Sequence, residues 1–316
     1  MTDDTRPDRT PLVPPGGIDH HSADMTATFA ADVTLKQAQA ALGQREHWLP
    51  IDGDEDLPLG QLIEQNSTGP LRLGYGAWRD LLLGVQFQDG HGKLITAGGA
   101  TVKNVAGYDL TKFMVGQRGV FGQIVTLTTR TYRRPAVALL ARFPARQSII
   151  NALLPTDHRP QWALLTREAL NCGYLGDEQF GAFQESGLRQ AGALHVARRT
   201  LRDDIEHRAG LWCCYNDLAL RTSVPPARIA EFVSLAKLSA WVADAAFGIV
   251  ISSPTSETSI EAVNRAAIRV GGTLTITYPR QSRFEVSTTD TERGMIERLK
   301  DAFDPENRLT PLPWRS

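Results

Sequence analysis

The stretch GPLRLGYGAWRDLLLGVQFQDGHGKLITAG, Gly69 to Gly98, carries the pattern on which the fold assignment turns. Its first part belongs to a loop, since the eleven residues from Asn66 to Gly76 contain three glycines and a proline, a density typical of neither helix nor strand. Its second part, Val85 to Gly98, consists of two alternating runs around Asp89-Gly90. This arrangement predicts a β-hairpin with a tight turn.

Strand and helix signals surround this stretch. The alternation of apolar and polar residues from Met25 to Val33 predicts a half-buried strand, and Thr34 is placed to cap a short helix that begins at Leu35. Further on, Asp109 is placed as a helix N-cap, and the β-branched run from Phe121 to Tyr132 predicts another strand. The first part of the chain is therefore expected to be α+β.

The pattern changes beyond Pro135. The residues from Asn171 to Ala209 are polar and weakly patterned, whereas strands and helices alternate clearly from Leu218 onward. One of these helices is predicted to open at Ser256 and to close at Gly271. We expect helices packed on one face of a small antiparallel sheet, followed by a last helix over residues 291–303.

Composition narrows the class of protein. The chain has 316 residues, of which 42% are apolar, and a formal net charge of −1. These values indicate one large or two ordinary domains and exclude disordered, collagen-like and disulfide-scaffold proteins. They give no global reason to expect a nucleic acid or an anionic membrane as partner.

No apolar run reaches the length of a bilayer span. The N-terminus carries acidic residues and prolines where a secretory signal would be basic and then apolar. We therefore expect a cytoplasmic protein with a flexible leader over residues 1–17. The three cysteines, Cys172, Cys213 and Cys214, lack metal-site spacing and are expected to be reduced.

The chemistry indicated by the sequence lies in three glycine-rich segments, Gly69 to Gly76, Gly98 to Gly107 and Gly116 to Gly122. Glycine loops let main-chain N–H groups approach a phosphate closely, although tight turns between strands explain such glycines equally well. None of the segments matches a dinucleotide fingerprint or a P-loop. No serine lies in a nucleophile elbow and no histidine has helical metal-site spacing, so neither a catalytic triad nor a metal site is indicated.

Charge is distributed unevenly around these segments. From Ala100 to Arg146 there are eight Lys or Arg residues and a single acid, Asp109, whereas the stretch from Glu46 to Glu64 is acidic. A basic stretch among glycine loops is compatible with binding of a phosphate-bearing cofactor or of an acidic partner protein. It is equally compatible with a basic surface that only contacts solvent.

Three motifs together resemble the flavin-binding subunit of bacterial glycolate oxidase, a relative of the FAD-linked oxidases with a vanillyl-alcohol-oxidase-type (PCMH-type) fold. They are GPLRLGYGAWRDLLLGVQF (Gly69 to Phe87), KNVAGYDLTKFMVGQRGVFGQI (Lys103 to Ile124) and LKDAFDPENRLTP (Leu299 to Pro311). The resemblance implies an α+β fold with an FAD-binding domain over residues 18–135 and a cap domain with an antiparallel sheet over residues 136–316.

The resemblance also implies which residues contact FAD, and it places no catalytic residue. The second FAD-contacting loop is expected to contribute Gly60, Asn66, Ser67, Thr68, Gly69, Tyr75 and Gly76. Gly107, Tyr108, Gly119, Gly122 and Ile124 are expected in the segments that line the flavin side, and Lys103 is a further expected cofactor contact. Hydroxyl groups and glycine N–H groups can donate hydrogen bonds to phosphate oxygens, and Lys103 could offset the phosphate charge.

The implied activity is oxidation of a 2-hydroxy acid such as glycolate, with hydride transfer to FAD and electron transfer to a homologous flavoprotein subunit and an iron–sulfur subunit. The alternative is a degenerate, flavin-free homologue that serves as a scaffold or interaction subunit. A misassigned start or a split gene is a further alternative.

The sequence departs from the family pattern in two places. The family opens with a subdomain that contains a Gly-rich pyrophosphate loop, and we expect no such subdomain before the strand at Met25. In the loop DLPLGQLIEQNSTGP, Pro58 and Gln61 replace the usual threonine and second glycine, while Glu64 and Gln65 stand where small residues are usual. A carboxylate near a pyrophosphate repels it, so both departures weigh toward the flavin-free alternative.

Overall fold

The computed structural model describes residues 11–99, 109–212, 219–253, 259–278, 283–285, 290–312 and 314. The chain divides into two compact units. The first comprises residues 1–69, 76–134 and 287–316, and the second comprises residues 70–75 and 135–286. The break after residue 134 lies next to the expected boundary at 135. Residues 287–316 were expected in the second domain and belong instead to the first unit.

The first unit contains a five-stranded antiparallel sheet in the order β1-β2-β6-β4-β5 and a separate pair, β3-β7. Its strands are β1 (Ile18–His21), β2 (Thr26–Ala30), β3 (His47–Trp48), β4 (Leu82–Gln88), β5 (Leu94–Gly98), β6 (Gln123–Arg130) and β7 (Tyr132–Arg133). Its helices are α1 (Leu35–Gly43), α2 (Leu59–Glu64), α4 (Trp78–Leu81), α5 (Leu110–Phe113) and α11 (Asp290–Phe303), with a 3-10 turn at Ser22–Asp24.

Two predicted helix starts in this unit are confirmed. The Thr34 hydroxyl accepts from the N–H of Gln37, and the Gln37 side chain accepts from the N–H of Thr34, which completes a capping box. The Asp109 carboxylate accepts from the N–H of Lys112 at the start of α5. Both caps depend on residues three apart, so the sequence alone specifies them.

The hairpin around Asp89-Gly90 is confirmed, and its turn is tight. The N–H of Gly92 donates to the carbonyl of Asp89 at 3.0 Å, the N–H of Asp89 donates to the carbonyl of Lys93 at 3.1 Å, and the positive φ of +78° falls on Gly92 rather than on Gly90. Gly90 instead donates to the carbonyl of Phe303 at 2.9 Å. A Cβ at Gly90 would lie 2.6 Å from Cα of Asp304, so this glycine admits the end of α11.

The expected flexible leader is contradicted for its described part, residues 11–17. The N–H of Leu12 donates to Oε1 of Gln86 at 2.7 Å, and that of Gly16 donates to Oδ1 of Asp32 at 2.9 Å. Val13 is buried in the core of the first unit. These contacts fix the segment because they satisfy its main-chain donors and bury its apolar side chain.

The second unit contains a nine-stranded sheet in the order β11-β8-β10-β9-β13-β14-β12-β15-β16, with antiparallel pairing throughout. Its strands are β8 (Val137–Phe143), β9 (Trp162–Leu165), β10 (Leu170–Gly176), β11 (His195–Arg199), β12 (Ala219–Ser223), β13 (Trp241–Asp244), β14 (Ile249–Ser252), β15 (Thr273–Tyr278) and β16 (Arg283–Glu285). Its helices are α3 (Arg72–Tyr75), α6 (Gln147–Leu153), α7 (Glu178–Gln190), α8 (Leu201–Trp212), α9 (Ile229–Leu235) and α10 (Ile260–Arg269), with a 3-10 turn at Pro226–Arg228.

The helices of this unit lie on both faces of the sheet. The predicted helices α9 and α10 bury their apolar residues in the same cluster as Val137 of β8, as expected. Helix α8 lies on the opposite face, where Asp204 accepts from Nε1 of Trp162 at 2.9 Å. The sequence reading missed α8 because its face is mostly polar, with a buried ion pair between Arg208 and Asp204.

Helix α10 begins later than predicted. Its N-cap is Ser259, whose hydroxyl accepts from the N–H of Ala262, whereas the predicted cap Ser256 lies outside the described residues. Its predicted end is confirmed, because Gly271 has a φ of +76°, a conformation that favours glycine.

Among the cysteines, Cys172 is a free thiol buried in the second core, and burial raises its pKa. Cys213 and Cys214 lie outside the described residues. Within the described ranges, no helix combines the length and the hydrophobicity that a bilayer span requires.

Candidate functional site

The end of α2 and the glycine loop at residues 116–122 are joined by main-chain hydrogen bonds. Gly116 N–H donates to the carbonyl of Ile63 at 2.9 Å, and Arg118 N–H donates to that of Glu64 at 3.0 Å. Asn66, with a φ of +49°, turns the chain directly beside this contact, since a Cβ at Gly116 would lie 3.3 Å from Cβ of Asn66. The structure thus places the glycine segment at residues 116–122 beside the turn at Asn66.

Ser67 and Thr68 follow this turn and are both half-buried. The N–H of Ser67 donates to the carbonyl of Leu62 at 2.8 Å, which fixes the main chain. Neither hydroxyl has a hydrogen-bond partner within the described part of the chain. Hydroxyls held at a fixed position without a partner are available as donors to a ligand oxygen.

The charges beside these hydroxyls are Glu64 and Arg118. Oε1 of Glu64 accepts from the N–H of Ile124 at 3.4 Å, and burial raises the pKa of this carboxyl above its ordinary value despite that hydrogen bond. Burial also lowers the pKa of the half-buried Arg118 guanidinium. The Glu64 carboxyl therefore occupies the N–H of Ile124, a residue that was expected to line the flavin.

The N-terminus of α2 has no free donors in its first two residues. Leu59 N–H donates to the carbonyl of Val33 at 2.8 Å, and Gly60 N–H donates to that of Ala31 at 2.9 Å. A Cβ at Gly60 would lie 2.8 Å from Cβ of Ala31. Gly60 is therefore required for close packing between α2 and the chain that follows β2.

Four other predicted site glycines also sit against the chain's own atoms. At Gly69 a Cβ would lie 2.7 Å from Oδ2 of Asp52, and at Gly76 it would lie 2.7 Å from Cβ of Asp80. At Gly119 it would lie 2.7 Å from Oγ1 of Thr310, and at Gly122 it would lie 2.5 Å from Cδ2 of Phe87. Gly76 and Gly119 also have positive φ values, +88° and +77°. Packing and backbone conformation thus account for these glycines without a ligand.

A buried ion pair that the sequence analysis did not single out supports the same glycine loop. Lys300 Nζ lies 2.5 Å from Oδ2 of Asp304, and it donates to the carbonyls of Val120 at 3.0 Å and Thr310 at 2.9 Å. Lys300 and Asp304 are each 1% exposed. Only the i, i+4 spacing within LKDAFDPENRLTP could have signalled the pair.

The Asp304 carboxylate is further stabilised by main-chain donors. Its oxygens accept from the N–H groups of Arg308 at 2.8 Å and Leu309 at 2.9 Å. Burial alone would raise the pKa of Asp304, but the Lys300 ammonium and these two N–H groups hold it below its usual value. The third motif of the resemblance thus folds into a charged clamp on the loop at residues 116–122.

The remaining predicted site residues are Tyr75, Lys103, Gly107 and Tyr108. Lys103, Gly107 and Tyr108 lie outside the described residues. Tyr75 ends α3 and belongs to the second unit. The structure therefore assembles Asn66, Ser67 and Thr68 with the loop that contains Gly119 and Gly122.

The second unit holds a separate group of buried charges. Asp244, at the end of β13, accepts from the N–H groups of Ala246 at 3.1 Å and Phe247 at 3.3 Å. Burial raises its pKa to about 7, although these N–H groups and the guanidinium groups of Arg72 and Arg221 act in the opposite direction. Arg72 lies over the Phe247 ring at 3.8 Å.

Comparison with known families concerns the N-terminal third of the chain. Residues 15–98 match the model of the FAD binding domain family. In these residues the chain is similar to an FAD-binding domain of the PCMH type, and the resemblance to FAD-linked oxidases is confirmed.

Within that class, the chain is related to glycolate oxidase subunits. It is 31% identical over 130 residues to glycolate oxidase subunit GlcE of Escherichia coli, which covers 40% of this chain and 37% of that protein. It is 36% identical over 114 residues to glycolate oxidase subunit GlcD of Bacillus subtilis, covering 35% and 24%. Archaeoglobus fulgidus D-lactate dehydrogenase is 32% identical over 131 residues, covering 40% and 30%. Each match spans well under half of the relative's length.

Solved structures extend the likeness in fold to more of the chain. A structure of alkyldihydroxyacetonephosphate synthase has a TM-score of 0.62, with 14% identity over 90% of this chain and 63% of that one. This similarity concerns the fold alone.

FAD is the cofactor of this domain family, and the site fits it in one respect. The unpartnered hydroxyls of Ser67 and Thr68 are suitable donors for phosphate oxygens, and the half-buried Arg118 supplies positive charge on the adjoining loop. The glycines contribute little to this fit because the chain's own atoms fill the space beside them.

Proposed function

We propose that the first unit binds FAD through Ser67 and Thr68, and that the chain serves as the flavin-binding subunit of a complex that oxidises a 2-hydroxy acid. The observation that carries the proposal is the pair of unpartnered hydroxyls fixed beside the loop at residues 116–122. A hydroxyl held in place loses little freedom on binding, and a hydrogen bond to a charged oxygen is among the stronger ones.

The substrate class is taken from the relatives, which are named as glycolate oxidase subunits and as a D-lactate dehydrogenase. Glycolate and D-lactate are both 2-hydroxy acids. FAD, when bound, supplies the redox chemistry by accepting a hydride from the carbon that bears the hydroxyl. The contribution of this chain is to hold the phosphates, with the Lys300–Asp304 pair keeping the adjoining loop in place.

We also propose partners, since relatives are named as subunits. A homologous flavoprotein subunit and an iron–sulfur subunit would receive the electrons, in the cytoplasm. Isolation of a tagged chain from its own cells, followed by identification of copurifying proteins and measurement of bound iron, tests this part separately.

The test of flavin binding compares the wild-type chain with Ser67→Ala/Thr68→Ala after incubation with FAD. We expect the wild type to retain flavin and the double variant to bind it roughly a hundredfold more weakly, since a hydrogen bond to a charged group contributes about 1.5–3 kcal/mol. Quenching of flavin fluorescence measures the affinity. Ser234→Ala, at an exposed serine on α9, is the control and should bind FAD as the wild type does.

One observation favours the flavin-free alternative. The chain's own atoms fill the space beside Gly60, Gly69, Gly119 and Gly122. A wild-type chain that stays colourless after reconstitution would contradict flavin binding and support a scaffold role. Equal affinity of the wild type and the double variant would instead place the cofactor elsewhere.

A further inference from the structure

A cleft of about 350 Å³ lies on the second unit, beside α8 on the sheet face that carries Trp162. Its polar lining consists of Arg142, Thr166, Glu168, Asn171, His195, Arg199 and His207. Leu140 and Leu211 add apolar surface. None of its lining residues is among those proposed to hold FAD.

Strand register places three of the polar residues in one row. Arg142 on β8 lies directly opposite His195 on β11 and directly opposite Asn171 on β10. Directly opposite residues in antiparallel strands have Cβ atoms about 5 Å apart on the same face. Arg199 lies four residues beyond His195 on the same strand and so faces the same way.

Polar groups of the cleft lack partners among the described residues. Asn171 is 5% exposed, yet its amide has no hydrogen-bond partner there, and Nε2 of His207 on α8 is buried and also has none. The exposed guanidinium groups of Arg142 and Arg199 have no ion-pair partner within the same residues. Buried polar groups in native proteins normally have a hydrogen-bond partner, so a ligand is a candidate partner for Asn171 and His207.

Two arginines near the cleft are paired. On the other face of β11, Arg198 binds Glu178 at 2.7 Å and Glu185 at 3.4 Å. On α8, Arg208 is paired with Asp204. Arg198 and Arg208 therefore do not contribute a free charge to the cleft.

The charges in the cleft select the class of ligand. Two guanidinium groups face one carboxylate, that of Glu168, so the lining has a net positive charge that suits a monoanion better than a dianion. The guanidinium fork and the Asn171 amide match the planar acceptor pair of a carboxylate. Burial, together with the charges of Arg199 and Arg142, lowers the pKa of His207.

We propose that this cleft is a second ligand site, which binds a small monocarboxylic acid with a short apolar part. Its carboxylate is held by Arg142, Arg199 and Asn171, its apolar part contacts Leu140 and Leu211, and His207 closes the site from α8. The site requires no flavin, so its test is independent of the proposed function.

The test titrates the full chain, labelled with ¹³C-histidine, with butyrate as the probe. We expect the signals of His195 and His207 to shift in a saturable way, with dissociation constants in the roughly millimolar range. His195→Gln and His207→Gln variants assign the two signals. Arg142→Gln and, independently, Arg199→Gln should each weaken binding by about tenfold or more, because each removes a charge-assisted contact.

Arg198→Gln is the matched control, since it removes the same charge from the same strand on the opposite face. It should leave butyrate binding unchanged. The proposal is overturned if neither histidine signal shifts, if Arg198→Gln weakens binding as much as Arg142→Gln does, or if inorganic phosphate binds more tightly than butyrate.

Discussion

Nζ of Lys300 lies 3.0 Å from the carbonyl oxygen of Val120, a residue 180 positions earlier in the chain. Because the same ammonium is paired with Asp304, one buried charge joins the end of α11 to the glycine loop beside the proposed FAD site. The order of that loop therefore depends on a residue far away in the sequence.

The first prediction concerns this ammonium. Lys300→Met leaves Asp304 buried without its counter-ion and should lower the free energy of unfolding by about 3–5 kcal/mol, which urea titration measures. The control, Arg298→Met, removes a positive charge from an exposed position of the same helix. It should change the free energy of unfolding by no more than about 0.5 kcal/mol.

A double variant, Lys300→Met/Asp304→Leu, completes the cycle. It should recover part of the loss, since no buried charge remains unpaired. Equal stability of Lys300→Met and the wild type would contradict the role assigned to the pair.

The second prediction separates packing from cofactor binding at Gly122. Gly122→Ala should destabilise the flavin-free chain by about 1–3 kcal/mol, because the new methyl group would lie 2.5 Å from the Phe87 ring and 3.1 Å from the carbonyl of Gln88. Thermal or urea unfolding without FAD measures the loss.

Gly294→Ala is the control for this change. Nothing lies within 4 Å of a Cβ at Gly294 in the interior of α11, so alanine should stabilise the protein by up to about 1 kcal/mol. A Gly122→Ala chain as stable as the wild type without flavin would show that this glycine serves the cofactor instead.

The third prediction is a pH dependence caused by Asp244. Its pKa in the folded chain is about 7, against an ordinary value of 3.8, so the folded state binds the proton more tightly than the unfolded state does. The stability contributed by the protonated carboxyl is present below pH 3.8 and is lost as the pH rises from there to about 7.

Asp244→Asn should remove this dependence. The amide oxygen retains the hydrogen bonds from Ala246 and Phe247 but does not ionise. We expect the variant to be more stable than the wild type at pH 8, and the free energy of unfolding of the wild type alone to fall between pH 5 and pH 7, by at most about 1.4 kcal/mol per pH unit. Parallel pH profiles for the two proteins would rule out this assignment.

Local signals were the most predictable part of the fold. The caps at Thr34 and Asp109 and the terminator Gly271 each depend on a few adjacent residues, and the structure has all three. The tight turn at Asp89-Gly90 was also predicted, but the contact of Gly90 with the distant end of α11 was not. Sequence spacing does not report a contact across more than 200 residues.

The candidate site was less predictable for a related physical reason. A glycine that must admit a phosphate and a glycine that must admit a neighbouring side chain have the same sequence signature. Gly60 and Gly122 were expected to contact FAD, and the structure places Ala31 and Phe87 against them. The burial of Lys300 is not predicted from the sequence, because a lysine on a helix is normally solvent-exposed.

The segment order of the first unit affects how it is synthesised. Its last part, residues 287–316, is translated only after all of the second unit. Because domains usually fold as they leave the ribosome, the second unit can fold during translation, while the first must wait for Lys300 and Asp304. A nascent chain should therefore expose the unsupported loop at residues 116–122 until Lys300 and Asp304 have left the ribosome, and this interval is when it would most depend on chaperones.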